Sequence, residues 1–435
     1  MKYKGLPGGS PLSVKEETVM YEELTLSNGV RVLHEAVPSV RSAALGIWVR
    51  AGSRNETAAE NGSCHFIEHM LFKGTKRRSA EQLARESDAI GGRLNAYTTK
   101  EGTCFYGHVL DSHLPALTDI LSDMLLHSLF REKDVKSERG VICDEIDMYA
   151  DDPEDLVHEQ LYLKVFAGSS LARPVLGTRK SLAGLRAADL KRTYARCYTG
   201  SNVLLSLSGS YTAADLDRIT GAFSALPAGP ALPVRRAAYR PCLVRTEKEC
   251  EQNQLVLAWP CISLSDPSRY AFGLFSAILG GGASSRLFQS VREKRGLCYS
   301  ISAGGSCHRR EGLFLIHTGV SPEAERDALK LILRELERLK QDGVTDQELT
   351  SAKEQTRANL LMGLESTVSR MNHLARGALY TGEVPSPEEL CARYDDVTRD
   401  QIRELACRWL DNAFISLSAV GRPAPEDVYR EVLGL

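Results

Sequence analysis

His65, Glu68 and His69 stand together in the stretch CHFIEHMLFKG, residues Cys64 to Gly74. The Leu, Met and Glu around them favour a helix over residues 65–72, with Ser63 placed to cap its start and Gly74 just past its end. On such a helix His65 and His69 are one turn apart on one face, so both imidazoles can reach a single zinc ion. Glu68 falls at the edge of that face, close enough to act on a water there. Phe66, Ile67, Met70, Leu71 and Phe72 make the helix apolar nearly all round, which predicts burial. Buried histidine and carboxylate then need partners, either a metal or hydrogen bonds to backbone.

Two histidines do not complete a catalytic zinc, which takes three protein ligands. DVKSERGVICDEIDMYA, residues 134–150, offers the third. Helical spacing puts Val135, Glu138, Ile142, Glu145 and Tyr149 on one stripe and Gly140, Asp144, Asp147 and Asp151 on another. The acidic stripe reads as a solvated face. Glu138 and Glu145 sit on the apolar one and call for a cation, either a metal or an Arg or Lys. Glu145 is the candidate third ligand, and Glu138 the group that orients one of the histidines. Cys64 reads as a small buried thiol or, in some redox state, a fourth and inhibitory ligand.

The elements that hold these residues follow from size and pattern. A chain of 435 residues exceeds one ordinary core, and domains of about 100 to 200 residues are the usual outcome. Arg31 to Leu33, Ser42 to Arg50 and Leu204 to Gly209 read as strands. Four prolines in the fifteen residues PAGPALPVRRAAYRP mark a linker at 227–241, between a first domain at 1–226 and a second at 242–435. GGRLNAYTTKEGTCFYGHVL followed by LPALTDILSDMLLHSL repeats in pattern, at an offset of about 210 residues, as GLCYSISAGGSCHRREGLFLIHTGV followed by AERDALKLILRELERLKQDG. Each copy reads as an antiparallel strand pair and an amphipathic helix, which gives two α+β halves facing each other across a cleft.

Charge and composition exclude several classes. With 54 Lys plus Arg against 56 Asp plus Glu, nothing draws the chain to nucleic acid or an anionic membrane. The longest apolar runs fall short of the roughly 20 residues that span a bilayer. MKYKGLPGGSPLSVKEE has neither the apolar centre of a secretory signal nor the acid-poor composition of a transit peptide. The 11 cysteines are dispersed without a C-x-x-C pair, which fits a reducing compartment, and the expectation is a cytoplasmic protein.

The order H-x-x-E-H, with Glu145 following His69 by 76 positions, resembles the pitrilysin and insulinase group of inverted-motif zinc endopeptidases, and within it the mitochondrial-processing-peptidase branch and similar bacterial proteins. HFIEHMLFKGT, LNAYTTKEGTCFY, ERGVICDEI and Ser285-Arg286-Leu287-Phe288 leading to VREKRGLCYS carry the likeness along nearly the whole chain. The resemblance implies a clamshell of two related halves, each a mainly antiparallel sheet covered by helices. It implies one zinc per chain held by His65, His69 and Glu145, with Glu68 as general base. Arg292 and Tyr299, spaced as R-x6-Y, would contact the substrate backbone as the halves close, although Arg292 within REKR also reads as a surface charge. Asn95 and Ala96 would belong to an edge strand that pairs with an extended peptide. Asp152-Pro153 should end one helix and start the next, putting Asp155 and Glu159 on one face, where matching acids of the processing branch hold an arginine near the cut. The expectation is an endopeptidase of unfolded peptides working as a homodimer; the alternative is a non-catalytic or scaffold subunit.

Overall fold

The computed structural model describes residues 21–435. The reading of the N-terminal residues 1–17 lies outside the described residues. Six strands form the first sheet: β1 (Glu22–Thr25), β2 (Arg31–Ala36), β3 (Ser42–Val49), β4 (Arg93–Thr98), β5 (Thr103–Leu110) and β6 (Val203–Gly209), in the order β1-β2-β6-β3-β5-β4. Five form the second: β7 (Leu243–Glu247), β8 (Asn253–Cys261), β9 (Cys298–Cys307), β10 (Gly312–Val320) and β11 (Ser416–Gly421), in the order β7-β11-β8-β10-β9. The two orders match strand for strand once β1 is set aside. Each sheet has one parallel pair, β2 with β6 and β7 with β11, and every other pairing is antiparallel. The repeated pattern in the sequence is therefore a repeated topology.

No helix or strand lies between Phe223 and Leu243. Helices nevertheless cross from one half to the other. Helix Pro153–Val165 leaves the first half and lays Val157, Leu161 and Val165 against Val256, Ala258, Leu313 and Val420 of the second sheet. Helix Thr367–Arg376 returns, packing Met371, Leu374 and Ala375 on Leu33, Ala44, Trp48 and Leu204 of the first. Gly46 makes this second contact possible, because a β-carbon there would meet the Trp48 ring at 2.2 Å and Met371 Sδ at 3.0 Å. Each fully buried Leu or Val in these layers contributes about 1.5–3 kcal/mol, so the exchanged helices bind the halves strongly.

A buried ionic group joins them as well. Arg54 lies between Glu101 at 2.7 Å and Glu311 at 2.5 Å, with side-chain exposures of 2%, 6% and 9% respectively. Its guanidinium also donates to the Arg235 carbonyl oxygen at 2.5 Å. The opposite faces of the two sheets carry the main cores, and the first of these is built on Phe66, Ile67, Met70 and Leu71. Among the described residues, no helix is long and apolar enough to cross a membrane.

Candidate functional site

The helix bearing the histidines runs from Ser63 to Leu71 and is not capped by Ser63. Gly62 precedes it with φ of 93°, a left-handed conformation that suits glycine. The first-turn donors converge on Glu56 instead, whose carboxylate accepts from the backbone N–H groups of Gly62 at 2.9 Å and Cys64 at 2.7 Å, and from Asn61 Nδ2 at 2.9 Å. An acid at this end also suits the helix dipole. Burial raises the Glu56 carboxyl and these hydrogen bonds oppose the rise. Cys64 lies in the core beside Glu56, its thiol raised well above the ordinary range by burial and by that carboxylate.

On this helix His65 and His69 are the two half-exposed positions between buried neighbours. Their rings stand 4.6 Å apart. Glu145, on helix Glu132–Asp151, faces both: Oε2 is 3.7 Å from His65 Nε2 and Oε1 is 3.6 Å from His69 Nε2. All three donor atoms lie within 4.8 Å of one another. These separations are too long for hydrogen bonds but close to the roughly 3.4 Å between ligand atoms of a tetrahedral zinc with bonds near 2.1 Å. Two histidines and one carboxylate also leave a position open, as catalytic zinc sites do. The residues present fit the ion.

Further groups support the cluster. Glu138, buried on the same helix as Glu145, accepts from His69 Nδ1 at 3.2 Å and pairs with Lys73 at 2.7 Å. That bond puts the His69 proton on Nδ1 and leaves Nε2 free to face Glu145. Burial and the neighbouring His69 push His65 down to about 3, so its imidazole is neutral at ordinary pH. Glu68 is 9% exposed, and Thr98 Oγ1 donates to its Oε2 at 2.6 Å. Burial raises the Glu68 carboxyl, while the Thr98 hydroxyl and His69 hold it back.

The cluster opens into a cavity of about 880 Å³. One wall is Ala96 to Thr98 of β4, the free edge of the first sheet. Asp155 and Glu159 form another, on the helix that Asp152 caps by accepting from Glu154 N–H and that Pro153 starts. Ser306, His308 and Leu315 line it from the second half. A second cavity, about 670 Å³, lies beside helix Arg269–Gly280, and no metal-type cluster is found there among the described residues.

Other expected residues lie elsewhere. Asn95 does not line the cavity; it is exposed and its side chain accepts from the Ala96 N–H at 2.8 Å. Arg292 and Tyr299 do not line it either: the guanidinium sits over the Phe288 ring at 4.5 Å and the Tyr299 ring at 5.6 Å, and Tyr299 is 74% exposed. The structure thus brings the metal set, Glu68, Ala96, Asp155 and Glu159 together and leaves the R-x6-Y pair apart. Tyr149, expected on the inward stripe, is exposed at the cavity rim because its helix has run past the core.

Sequence reasoning missed Lys100, His158 and Thr98. Lys100 donates to the Arg173 carbonyl oxygen at 2.6 Å, lies over the Tyr162 ring, and is lowered to about 8 by burial, which the negative charges of Glu159 and Glu56 partly offset. His158 packs on His317 with ring centroids 5.3 Å apart and is lowered to about 4 by burial and that neighbour. Lys100 and Thr98 stand in the quoted run LNAYTTKEGTCFY, but their partners lie on other elements, so spacing along the chain carried no signal.

Residues 31–179 match the model of the insulinase, or M16, peptidase family, and residues 184–356 match the model described as the M16 peptidase inactive domain. An uncharacterized zinc protease of Streptomyces coelicolor is 40% identical over 394 residues, covering 88% of this chain and 85% of that one. Another from Bacillus subtilis is 36% identical over 390 residues, covering 89% and 95%. Among solved structures, a protease from Helicobacter pylori has a TM-score of 0.87 at 19% identity, covering 93% of this chain and 100% of that one. A structure titled as an M16 inactive domain from Pseudomonas fluorescens has a TM-score of 0.84 at 23% identity, covering 93% and 98%. At these identities the two structures speak for the fold.

Proposed function

The chain belongs to the insulinase (M16) family of peptidases, and on that premise we propose that it is a zinc-dependent endopeptidase of unfolded or extended peptides. The observation that carries the reading is the convergence of His65, His69 and Glu145 with Glu68 beside them in one cavity. A scaffold role would not require that set to be complete. When bound, zinc polarises a carbonyl and acidifies water to a pKa near 7. His65, His69 and Glu145 would hold it. Glu68 takes the proton of the attacking water and returns it to the leaving amine. The free edge of β4 at Ala96, with Asn95 beside it, offers main-chain partners to an extended substrate, which gives affinity with little side-chain preference.

Two finer features belong to the same reading. Asp155 and Glu159 favour a basic residue upstream of the cut, as in the processing branch, and a peptide library without enrichment of Arg or Lys would remove that assignment. Arg292 and Tyr299, outside the cavity of their own chain, would reach the substrate from a second copy, which makes the working unit a homodimer. Mixing Glu68→Gln chains with Tyr299→Phe chains should restore turnover if the pair acts between copies; a mixture as inactive as its components would place it within one chain. Eleven unpaired cysteines are in keeping with a cytoplasmic location.

The central test is one preparation assayed for zinc and for cleavage of an unfolded peptide. The expected result is one zinc per chain, loss of cleavage with a chelator, recovery with zinc, and no turnover in Glu68→Gln. Stoichiometric zinc without cleavage, in a protein indistinguishable from Glu68→Gln, would overturn the proposal.

A further inference from the structure

Glu68 lies on the histidine helix, whereas Thr98 is the last residue of β4, so the 2.6 Å bond between them joins the helix to the sheet edge. The direction of that bond follows from the carboxylate, which when ionised only accepts, so Thr98 is the donor. Thr103 Oγ1 donates to the Ala51 carbonyl oxygen at 2.9 Å, and a hydroxyl has one proton to give. Thr103 Oγ1 therefore has no proton for Thr98 Oγ1, 3.3 Å away, and the Thr98 proton goes to the nearer, charged carboxylate.

Both ends of the contact are held in place. Thr98 faces Thr103 across the β4–β5 pair, and Thr99 N–H donates to the Gly102 carbonyl oxygen at 2.8 Å to close the turn. Glu68 is carried by a helix anchored through the buried Phe66, Ile67 and Met70. Among the described residues the Glu68 carboxylate makes no other hydrogen bond, so with Oε2 occupied, Oε1 is the oxygen left for proton transfer.

We infer that Thr98 is a positioning residue for Glu68: it fixes Oε2 so that Oε1 is presented to the cavity, and a peptide that adds to β4 braces the strand that carries it. Substrate binding at the edge is in this way coupled to the orientation of the base. The inference rests on the peptidase reading above. It assigns β4 two tasks, main-chain pairing at Ala96 and support of the base at Thr98.

Thr98→Val keeps the branched shape and removes the donor; Thr98→Ser keeps the donor and removes a methyl group. Loss of one hydrogen bond to a charged group should lower kcat of Thr98→Val by about tenfold to a hundredfold, with KM within about twofold, and Thr98→Ser should recover to within about threefold of wild type. Zinc content should be equal in all three. A crystal structure of Thr98→Val should show the Glu68 carboxylate turned from its wild-type position. An unchanged kcat in Thr98→Val, a Thr98→Ser variant as slow as Thr98→Val, or an unmoved carboxylate would each overturn the inference. If Thr98→Val does not fold, Thr98→Ala takes its place. Wild-type protein that fails to turn over would overturn the peptidase reading instead, and the comparison of carboxylate positions would still decide the part played by Thr98.

Discussion

Replacing Glu138 separates its service to the metal site from any part it has in packing. Its side chain is 6% exposed and has two partners, His69 Nδ1 at 3.2 Å and Lys73 at 2.7 Å. Lys73 is 37% exposed and on losing the carboxylate can turn to water at little cost. His69 cannot: its Nδ1–H loses its acceptor, and the ring loses both its fixed tautomer and its aim at Glu145. Outer partners of metal-bound histidines are worth about 10- to 100-fold in metal affinity, or about 1.4–2.7 kcal/mol. Glu138→Ala should fall near the upper end, and Glu138→Gln, which keeps an acceptor but not the charge, near the lower. The assay is competition for zinc against a chromogenic chelator, with circular dichroism to confirm the fold. Lys73→Ala is the control and should move the affinity by less than about threefold, since its pairing is partly exposed. A Glu138→Ala variant within about threefold of wild type, or a Lys73→Ala variant as weak as Glu138→Ala, would refute the reasoning.

Arg54→Met leaves Glu101 and Glu311 buried without their shared cation and should lower stability by about 3–5 kcal/mol in urea unfolding; a loss under about 1 kcal/mol would show that water reaches them. Leu161→Ala, at a fully buried position on the helix that crosses to the second sheet, should cost about 2–5 kcal/mol. Followed at Trp259 with Trp48 and Trp409 changed to Phe, the loss should appear in the second half; an unmoved Trp259 transition would mean that the halves unfold independently. Glu348 is lowered to about 2: burial opposes its ionisation, but hydrogen bonds from Arg286 and the Thr345 N–H outweigh it. Because the folded value lies below the ordinary 4.5, the stability it contributes is present above pH 4.5 and is lost as pH falls toward 2. Glu348→Gln should therefore flatten the acid limb of a pH–stability curve over that window, and an unchanged limb would assign it to other groups.

The histidine helix, the break at Asp152-Pro153 and the strand pairs were legible because each is decided by neighbours a few residues apart. The N-terminus of the histidine helix was not. Ser63 has the right chemistry for a cap, but Glu56 lies closer to the free N–H groups only after the chain has turned at Gly62. The exchanged helices were illegible for a related reason. Periodicity in PEDLVHEQLYLKV states that one face is apolar, and two equivalent sheets can cover such a face. The choice is made by the length and direction of the connections, which no local pattern encodes. Thr98 and Lys100 were visible as residues, but the bonds of Thr98 to Glu68 and of Lys100 to the Arg173 carbonyl oxygen were not, since those contacts exist only after tertiary packing.

The repeat also bears on why chemistry occupies one half. Helix Arg269–Gly280 stands between β8 and β9 as the histidine helix stands between β3 and β4, and the strand orders around them agree. Its sequence, RYAFGLFSAILG, places Phe272, Leu274, Phe275, Ile278 and Leu279 in the core and offers no histidine or acid. A frame defined by many apolar positions tolerates substitution one residue at a time, because volume and pattern are shared among neighbours. A metal site has no such latitude, since three donors must meet at one point, and losing one removes the function without unfolding the frame. The second half accordingly keeps the architecture and supplies walls to the cavity through Ser306, His308 and Leu315, while the first keeps the ligands.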